Sequence, residues 1–329
     1  MNHQIKWGIL STGRIAKTFA TALKAANNCE LYAVGSRDIV NAKIFAEEFD
    51  VPHYYGSYAE LVSNPEIDVI YIATPHNLHL ENTLLALENN KHVLCEKPLG
   101  VNANEVNQMI NKAQEKNLFL MEALWSRFLP NIMKTKELIE SGEIGKVSLL
   151  TASFCIQSNN GPEHRHFNID LCGGTILDIG IYNIFLSLYL FGKPDSIAAN
   201  SILSNQGGDN TSCYSFRKDN ILSVMHSSFM VSQPYVVAEI HGSKGKILLE
   251  HLWFWPGNVK VILNDGNEHS YPFKAKCNGY EYEAEEVAQC ILSGKIQSTE
   301  WSLNDSLLLA QTMETIRKEC GVIYPKHDF

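Results

Sequence analysis

The chain lacks any C-x-x-C pair and shows no regular spacing among its eight cysteines. It also lacks the charged-then-apolar layout of a secretory signal in Met1-Asn2-His3-Gln4-Ile5-Lys6. Together these absences argue against a disulfide framework and predict reduced thiols in a cytoplasmic protein. Twelve histidines are present, but no H-E-x-x-H and no Cys/His quartet, so the spacing predicts no zinc or other metal. Basic residues are not in excess: the formal net charge is −9, which speaks against nucleic acid or an anionic membrane as the main partner. The longest apolar stretch, Ile179 to Phe191, is interrupted by Tyr182, Asn183 and Ser187 and reads as a core helix too short to span a bilayer. Internal repeats, low-complexity tracts and long linkers are absent as well.

What is present is an ordinary globular composition, 45% hydrophobic and 19% charged over 329 residues, a length that suggests two domains. The organising stretch is Lys91 to Gly100, KHVLCEKPLG. His92-Val93-Leu94-Cys95 suits a strand buried on both faces. Glu96 and Lys97 cannot continue it inward, because an unpaired buried charge is costly, and Pro98 restricts Lys97 to extended geometry. The strand therefore stops with a lysine at its carboxyl end, the edge where open α/β sheets bind ligands.

Earlier in the chain, Ile5 to Leu10 is an apolar run followed by Ser11-Thr12-Gly13-Arg14-Ile15-Ala16 and then a helical pattern. This S-x-G-x-x-A turn approximates the dinucleotide fingerprint, with Ser11 in place of its first glycine. Gly13 permits backbone approach to a pyrophosphate, and the helix N-terminus offers N–H groups to it. A second strand, Glu30 to Ser36, arrives at the expected spacing and is followed by Arg37. A hydroxyl and a guanidinium suit a 2′-phosphate, so NADP is favoured over NAD, with Asp38 leaving NAD open. A further buried strand, Val69 to Ala73, ends in Thr74-Pro75-His76-Asn77-Leu78-His79. The predicted cofactor contacts are Ser11, Thr12, Gly13, Arg14, Ile15, Ser36, Arg37, Thr74, Pro75, Asn77, His79, Glu96 and Lys97.

Alternating strands and helices up to Leu118–Met121 predict a doubly wound parallel sheet of the Rossmann type over residues 1–123. Beyond it, runs at 147–154, 196–203, 212–216, 221–229, 236–241, 247–252 and 259–263 predict an α/β domain over 124–329, with a large, mostly antiparallel open sheet. A helix at 174–191 packs on that sheet, and helices at 280–292 and 303–320 close the chain. Tyr189 and Lys193 spell Y-x-x-x-K, the pair of short-chain dehydrogenases. The first turn lacks that family's glycine pattern, however, and Gly192-Lys193-Pro194 reads as a helix stop.

With CEKPLG, the S-x-G-x-x-A turn and Asp178-Ile179-Gly180-Ile181-Tyr182 in hand, the chain resembles the glucose–fructose oxidoreductase/inositol dehydrogenase (Gfo/Idh/MocA) family over essentially its whole length. Leu94 to Asn102, Phe119 to Phe128 and Gly173 to Tyr182 bring it nearest the dihydrodiol and NADP-linked D-xylose dehydrogenase branch. The resemblance implies that Lys97 sits beside the reacting carbon and that a cis bond precedes Pro98. It implies substrate binding by Asp178 and an open C-terminal sheet that forms a homodimer or larger homo-oligomer. Tyr182 and Phe185 stand where inositol dehydrogenase-like members carry a histidine and an acid, which argues against inositol-type chemistry.

Oxidising a hydroxyl requires hydride loss to the nicotinamide and proton loss to a base. Tyr182 can serve if a nearby ammonium favours the tyrosinate. The catalytic set is therefore Lys97, Tyr182 and Asp178, with the proton carried by Tyr182 or by Lys97 itself. Asp178 and Tyr182 share one face if the segment is helical. Trp125, Phe128 and Arg165 are candidate substrate contacts together with Asp178. The small-molecule substrate could be D-xylose, another aldose, a trans-dihydrodiol, a deoxy-sugar or a dicarbonyl. The alternative function is an NADP-binding sensor without turnover.

Overall fold

A computed structural model describes residues 4–233 and 235–329; Met1 to His3, part of the N-terminal stretch read above, lie outside them. Two compact units emerge, residues 1–128 with 275–307, and residues 129–274 with 308–329. The first contains β1 (Ile5–Leu10), α1 (Arg14–Ala25), β2 (Cys29–Gly35), α2 (Ile39–Phe49), β3 (His53–Tyr55), α3 (Tyr58–Ser63), β4 (Val69–Ile72), α4 (His79–Glu88), β5 (His92–Glu96), α5 (Ala103–Lys116) and β6 (Leu120–Ala123).

Its six strands lie in the order β3-β2-β1-β4-β5-β6, every pair parallel. The order reverses between β1 and β4, which creates a switch-point crevice at the carboxyl edge. The turns after β1, β4 and β5 are neighbours there because those strands are neighbours in the sheet. All four residues of β4 are buried, as expected for a central parallel strand covered on both faces. Phe19 of α1 lies against Tyr71 of β4 with ring centroids 3.7 Å apart, closing one face.

Residues 275–307 belong to this first unit, whereas a single boundary at residue 123 assigns them to the second. The reason is α8 (Glu281–Leu292), which packs along α1. Asn27 donates to Glu285 from both its backbone and side-chain nitrogens at 2.8 Å, and Asn278 donates to the Thr18 carbonyl at 2.9 Å. An amphipathic pattern tells that one face of α8 is buried, not which sheet layer buries it.

The second unit holds α6 (Pro130–Glu140), β7 (Val147–Cys155), α7 (Ile181–Phe191), β8 (Ser196–Leu203), β9 (Asp209–Lys218), β10 (Ile221–Ser228), β11 (Ala238–Gly242), β12 (Gly245–Leu249), β13 (Asn258–Leu263) and β14 (Glu268–Pro272). The eight strands order as β14-β13-β12-β11-β7-β10-β9-β8, and only β7 with β10 is parallel. The sheet was expected; β14, and β3 in the first unit, were not. The helical segment Ile169–Phe191 is long and apolar enough to cross a membrane, longer than the sequence suggested, but 94% of its apolar window is buried inside the protein. It is the core helix of this unit, packed on β7 and β10. Gly192 ends it with φ +78°, so Lys193 lies outside the helix and Tyr189 and Lys193 form no helical pair.

Candidate active site

In the first unit, Ser11 has φ +104°, the conformation for which the fingerprint prefers glycine. That explains why the motif is legible despite the substitution. The turn leads into α1 through Gly13, which leaves the helix N-terminus without a side-chain cap. In contrast, Asp38, Ser57 and Asn102 cap α2, α3 and α5 through their side chains. A methyl group on Gly13 would meet only Ser11 Oγ, at 3.9 Å, so backbone N–H groups there are open to a phosphate group. Ala16 is fully buried against the sheet. These observations fit a dinucleotide.

After β2, Ser36 is buried and Arg37 exposed. Asp38, the acid that would engage ribose hydroxyls in an NAD site, accepts from Val40 N at 2.9 Å and from Asn41 Nδ2 at 3.1 Å. It is occupied as a helix cap. Tyr58, which sequence reasoning missed, has its phenol beside Ser11 and Arg37; burial raises its pKa and the guanidinium pulls it back.

After β4, Thr74 is buried and Pro75 exposed, and Asn77 Oδ1 is shielded from solvent without a hydrogen-bond partner. His79, expected to touch the cofactor, is fully buried. Its Nδ1 meets the Pro98 carbonyl at 2.8 Å and its Nε2 the Thr74 carbonyl at 2.9 Å. Both partners are acceptors, so a neutral ring donates to only one of them, and burial holds its pKa down. His79 is therefore wedged between two edge turns, hydrogen-bonded to one of them.

After β5 the Lys97–Pro98 bond is cis. Glu96 is buried, accepting from Tyr71 O–H and from the Lys97 backbone N–H at 3.2 Å. Glu122, at the end of β6, accepts from Leu99 N at 2.9 Å and Trp301 Nε1 at 3.2 Å. Burial raises its pKa, opposed in part by the Lys97 ammonium. The lysine thus stands on a floor of buried acids. A third acid, Glu283 of α8, is fully buried, with neither oxygen hydrogen-bonded. Burial, and then Glu96, push its pKa well up. The native state keeps this proton where the unfolded chain has lost it, so stability falls as pH rises through that window. Glu283→Gln is expected to stabilise the protein by about 1–3 kcal/mol near neutral pH. Thermal midpoints at about pH 5 and about pH 8 should show the gain growing with pH; a pH-independent gain would contradict this account.

Trp125 and Phe128, expected as a substrate wall, are both buried. Trp125 stacks on Tyr280 with centroids 4.4 Å apart and planes at 9°.

In the second unit, Asp178 lies in a π-turn, Ile176–Gly180, that leads directly into α7. The expected α-helical i, i+4 relation to Tyr182 is thus replaced by a wider turn. Arg165 Nη1 lies 3.0 Å from Asp178 Oδ1, a pairing that the sequence did not predict. His166, missed at the sequence level, places Nε2 3.8 Å from Asp178 Oδ2 and stacks on Phe229 at 4.5 Å. Ser158 Oγ accepts from Asn160 at 3.1 Å and lies 2.8 Å from His166 Nδ1. The hydroxyl can give or take a proton in that contact, and the ring's other nitrogen, Nε2, faces Asp178. The Tyr182 ring lies 5.7 Å from Phe154 and 5.3 Å from Phe254. These flat rings, one on β7 and one in the loop after β12, carry no sequence signal distinguishing them from core aromatics. Phe185 is core.

Comparisons with known proteins follow the same division. Residues 5–124 match the model of an oxidoreductase family with an NAD-binding Rossmann fold, and residues 132–248 match the GFO/IDH/MocA C-terminal domain. The chain is 38% identical to trans-1,2-dihydrobenzene-1,2-diol dehydrogenase of Xenopus laevis, covering 97% of this chain and 99% of that protein. It is 33% identical to D-xylose 1-dehydrogenase (NADP(+)) of Hypocrea jecorina, covering 98% and 94%. Among solved structures, a 3-ketoreductase from Actinomadura kijaniata in complex with NADP and TDP-benzene superposes with a TM-score of 0.87 at 24% identity, covering 96% of this chain and 98% of that one. Levoglucosan dehydrogenase in complex with NADH and levoglucosan gives 0.86 at 20% identity, covering 97% of each.

Proposed function

Because the chain belongs to the Gfo/Idh/MocA family of NAD(P)-dependent oxidoreductases, we propose that it moves a hydride between NADP(H) and a secondary or anomeric hydroxyl or carbonyl of a sugar, trans-diol or related small polyol. The observation that carries this reading is Lys97, at the carboxyl end of β5 and in the sheet neighbourhood of the uncapped α1 turn. The bound nicotinamide supplies or accepts the hydride. The α1 N-terminus and the backbone of Ser11 to Ile15 hold the pyrophosphate. Lys97 donates to the substrate oxygen and stabilises negative charge on it. Tyr182 carries the proton, with Lys97 able to take that part, and Asp178, oriented by Arg165 and His166, accepts from a substrate hydroxyl.

The preference for NADP is supported by Ser36 and Arg37, by Tyr58 beside Arg37, and by the engagement of Asp38 as a helix cap. The Hypocrea relative is named for NADP(+). A homodimer or larger oligomer is supported by Ile202 on the edge strand β8 and by Leu222 and Val224 on β10, apolar side chains of the second unit's sheet that stay exposed. A cytoplasmic location accords with the irregular cysteine spacing.

A panel of sugars, diols and dicarbonyls assayed with NADP and NAD in parallel by nicotinamide absorbance tests the reading. Turnover of a polyol with NADP is expected, and cofactor binding without turnover across the panel would overturn it. Arg37→Ala should lower the NADP-over-NAD ratio of kcat/KM by about 10–100-fold, the loss of charge-assisted bonds to one phosphate group. An unchanged ratio would remove Arg37 from cofactor selection.

A further inference from the structure

We propose that Asp209, acting through Thr175, is a positioning residue that fixes the π-turn and so sets Asp178 and Tyr182 in register for the reaction. The inference rests on the functional reading of those two residues given above.

A π-turn is a rare helical form, which neighbouring structure must hold in place. Thr175, at its N-cap, supplies no side-chain cap of its own. The cap comes instead from the start of β9. Asp209 Oδ2 accepts from Ile176 N at 2.9 Å, from Thr175 Oγ1 at 2.6 Å and from Ser212 Oγ at 2.7 Å. Ser227 of β10 donates to Thr175 Oγ1 at 3.0 Å. The far end of the turn is anchored on the same two strands. Tyr214 O–H donates to the Gly180 carbonyl at 3.2 Å, and Asn183 Nδ2 donates to the His226 carbonyl at 3.0 Å. A Cβ on Gly180 would crowd Tyr214 Oη at 2.9 Å, so the approach there is close.

Asp209 has 0% exposure, a costly place for a carboxyl group. Burial raises its pKa, against the pull of the Thr175 and Ser212 hydroxyls and the Ile176 N–H. A cap that only secured helix ends could be a local serine or threonine at little cost. Here a distant acid takes three donors at one oxygen, from the turn and from the sheet beneath it. The strands thereby dictate where the turn begins, and Asp178 follows two residues after Ile176, whose N–H the acid holds.

The test uses the full-length protein and compares Asp209→Ala with Asp209→Asn, which keeps an acceptor oxygen for the Ile176 N–H. Asp209→Ala, assayed below its own melting transition, is expected to lose about 100-fold in kcat, the scale of an ångström-level misplacement. Its NADPH dissociation constant, by fluorescence titration, should stay within about twofold, because the nucleotide contacts lie in the other unit. Asp209→Asn should recover kcat to within about threefold of the parent. A folded Asp209→Ala protein with parental kcat would overturn the proposal, as would an Asp209→Asn protein no better than the alanine variant. If Asp209→Ala does not fold, Thr175→Val removes one hydroxyl at constant shape and is expected to lower kcat about 10-fold; parental kcat there also overturns it. Asp178→Asn and Tyr182→Phe are measured alongside. Retained activity in those two would sink the functional reading itself, whereas their inactivity beside a fully active Asp209→Ala would sink only the positioning role.

Discussion

Lys97→Met is expected to cut turnover by about 10³–10⁴-fold while NADPH still binds. Methionine keeps the unbranched stem of the lysine, ending one atom short of Nζ, but offers no charge and no donor. The cofactor contacts proposed on the first turn of α1 and after β2 do not pass through this side chain, so binding measured by NADPH fluorescence should hold within a few-fold. The acid floor predicts a secondary effect. The ammonium of Lys97 holds down the pKa of Glu122, which burial raises, so its removal drives that acid further toward its protonated form. Turnover retained within about 10-fold would remove Lys97 from the chemistry.

Gly174→Ala is expected to destabilise the protein by about 3–5 kcal/mol, combining an unfavourable backbone region with overpacking. Gly174 has φ +141°, which L residues rarely adopt, and its added Cβ would fall onto the Asp209 carboxylate. That carboxylate is held by Ile176, Thr175 and Ser212 and cannot swing away without breaking all three bonds. Gly161→Ala is the control: nothing lies within 4 Å of its would-be Cβ, and no change is expected. A denaturant midpoint for Gly174→Ala equal to that of the control would refute the packing argument.

The parallel sheet and the carboxyl-edge turns were legible in the sequence because glycine, proline and paired charges interrupt apolar runs at Ser11–Ala16, Thr74–Pro75 and Glu96–Pro98. Those punctuation marks act through local sterics, and local sterics survive translation into a one-dimensional reading. The three-residue β3 and the mostly exposed β14 escaped because neither holds enough apolar residues to show a period. The π-turn escaped for another reason. Its extra residue per turn is imposed by Asp209, thirty-one positions after Asp178 in the chain, and no local pattern encodes it. His79 entered the cofactor set because it closes the Thr74–His79 turn at the ligand-binding edge of the sheet. Only the fold reveals carbonyls on both sides of its ring. Tyr58, Phe154, Phe254 and His166 are common residue types in unremarkable contexts, selected as site neighbours by packing alone. Trp125 was a substrate candidate because flat aromatics suit diol or sugar rings, and its stack on Tyr280 is a neighbour that no local pattern announces.

The return of residues 275–307 to the first unit has a consequence for how the protein is made. A chain emerging from the ribosome forms its domains in the order of synthesis when each is contiguous. Here all six strands of the parallel sheet are complete by Ala123, yet the helix that lies along α1 and the Trp301 indole that donates to Glu122 arrive only after the whole antiparallel sheet has been synthesised. The nascent nucleotide-binding half must wait, with the α1 flank uncovered and Glu122 short of a donor, until the strands of the second unit are out. Chaperone engagement should therefore fall on the earliest-made half, and a nonsense mutation anywhere before residue 281 should cost both halves of the enzyme.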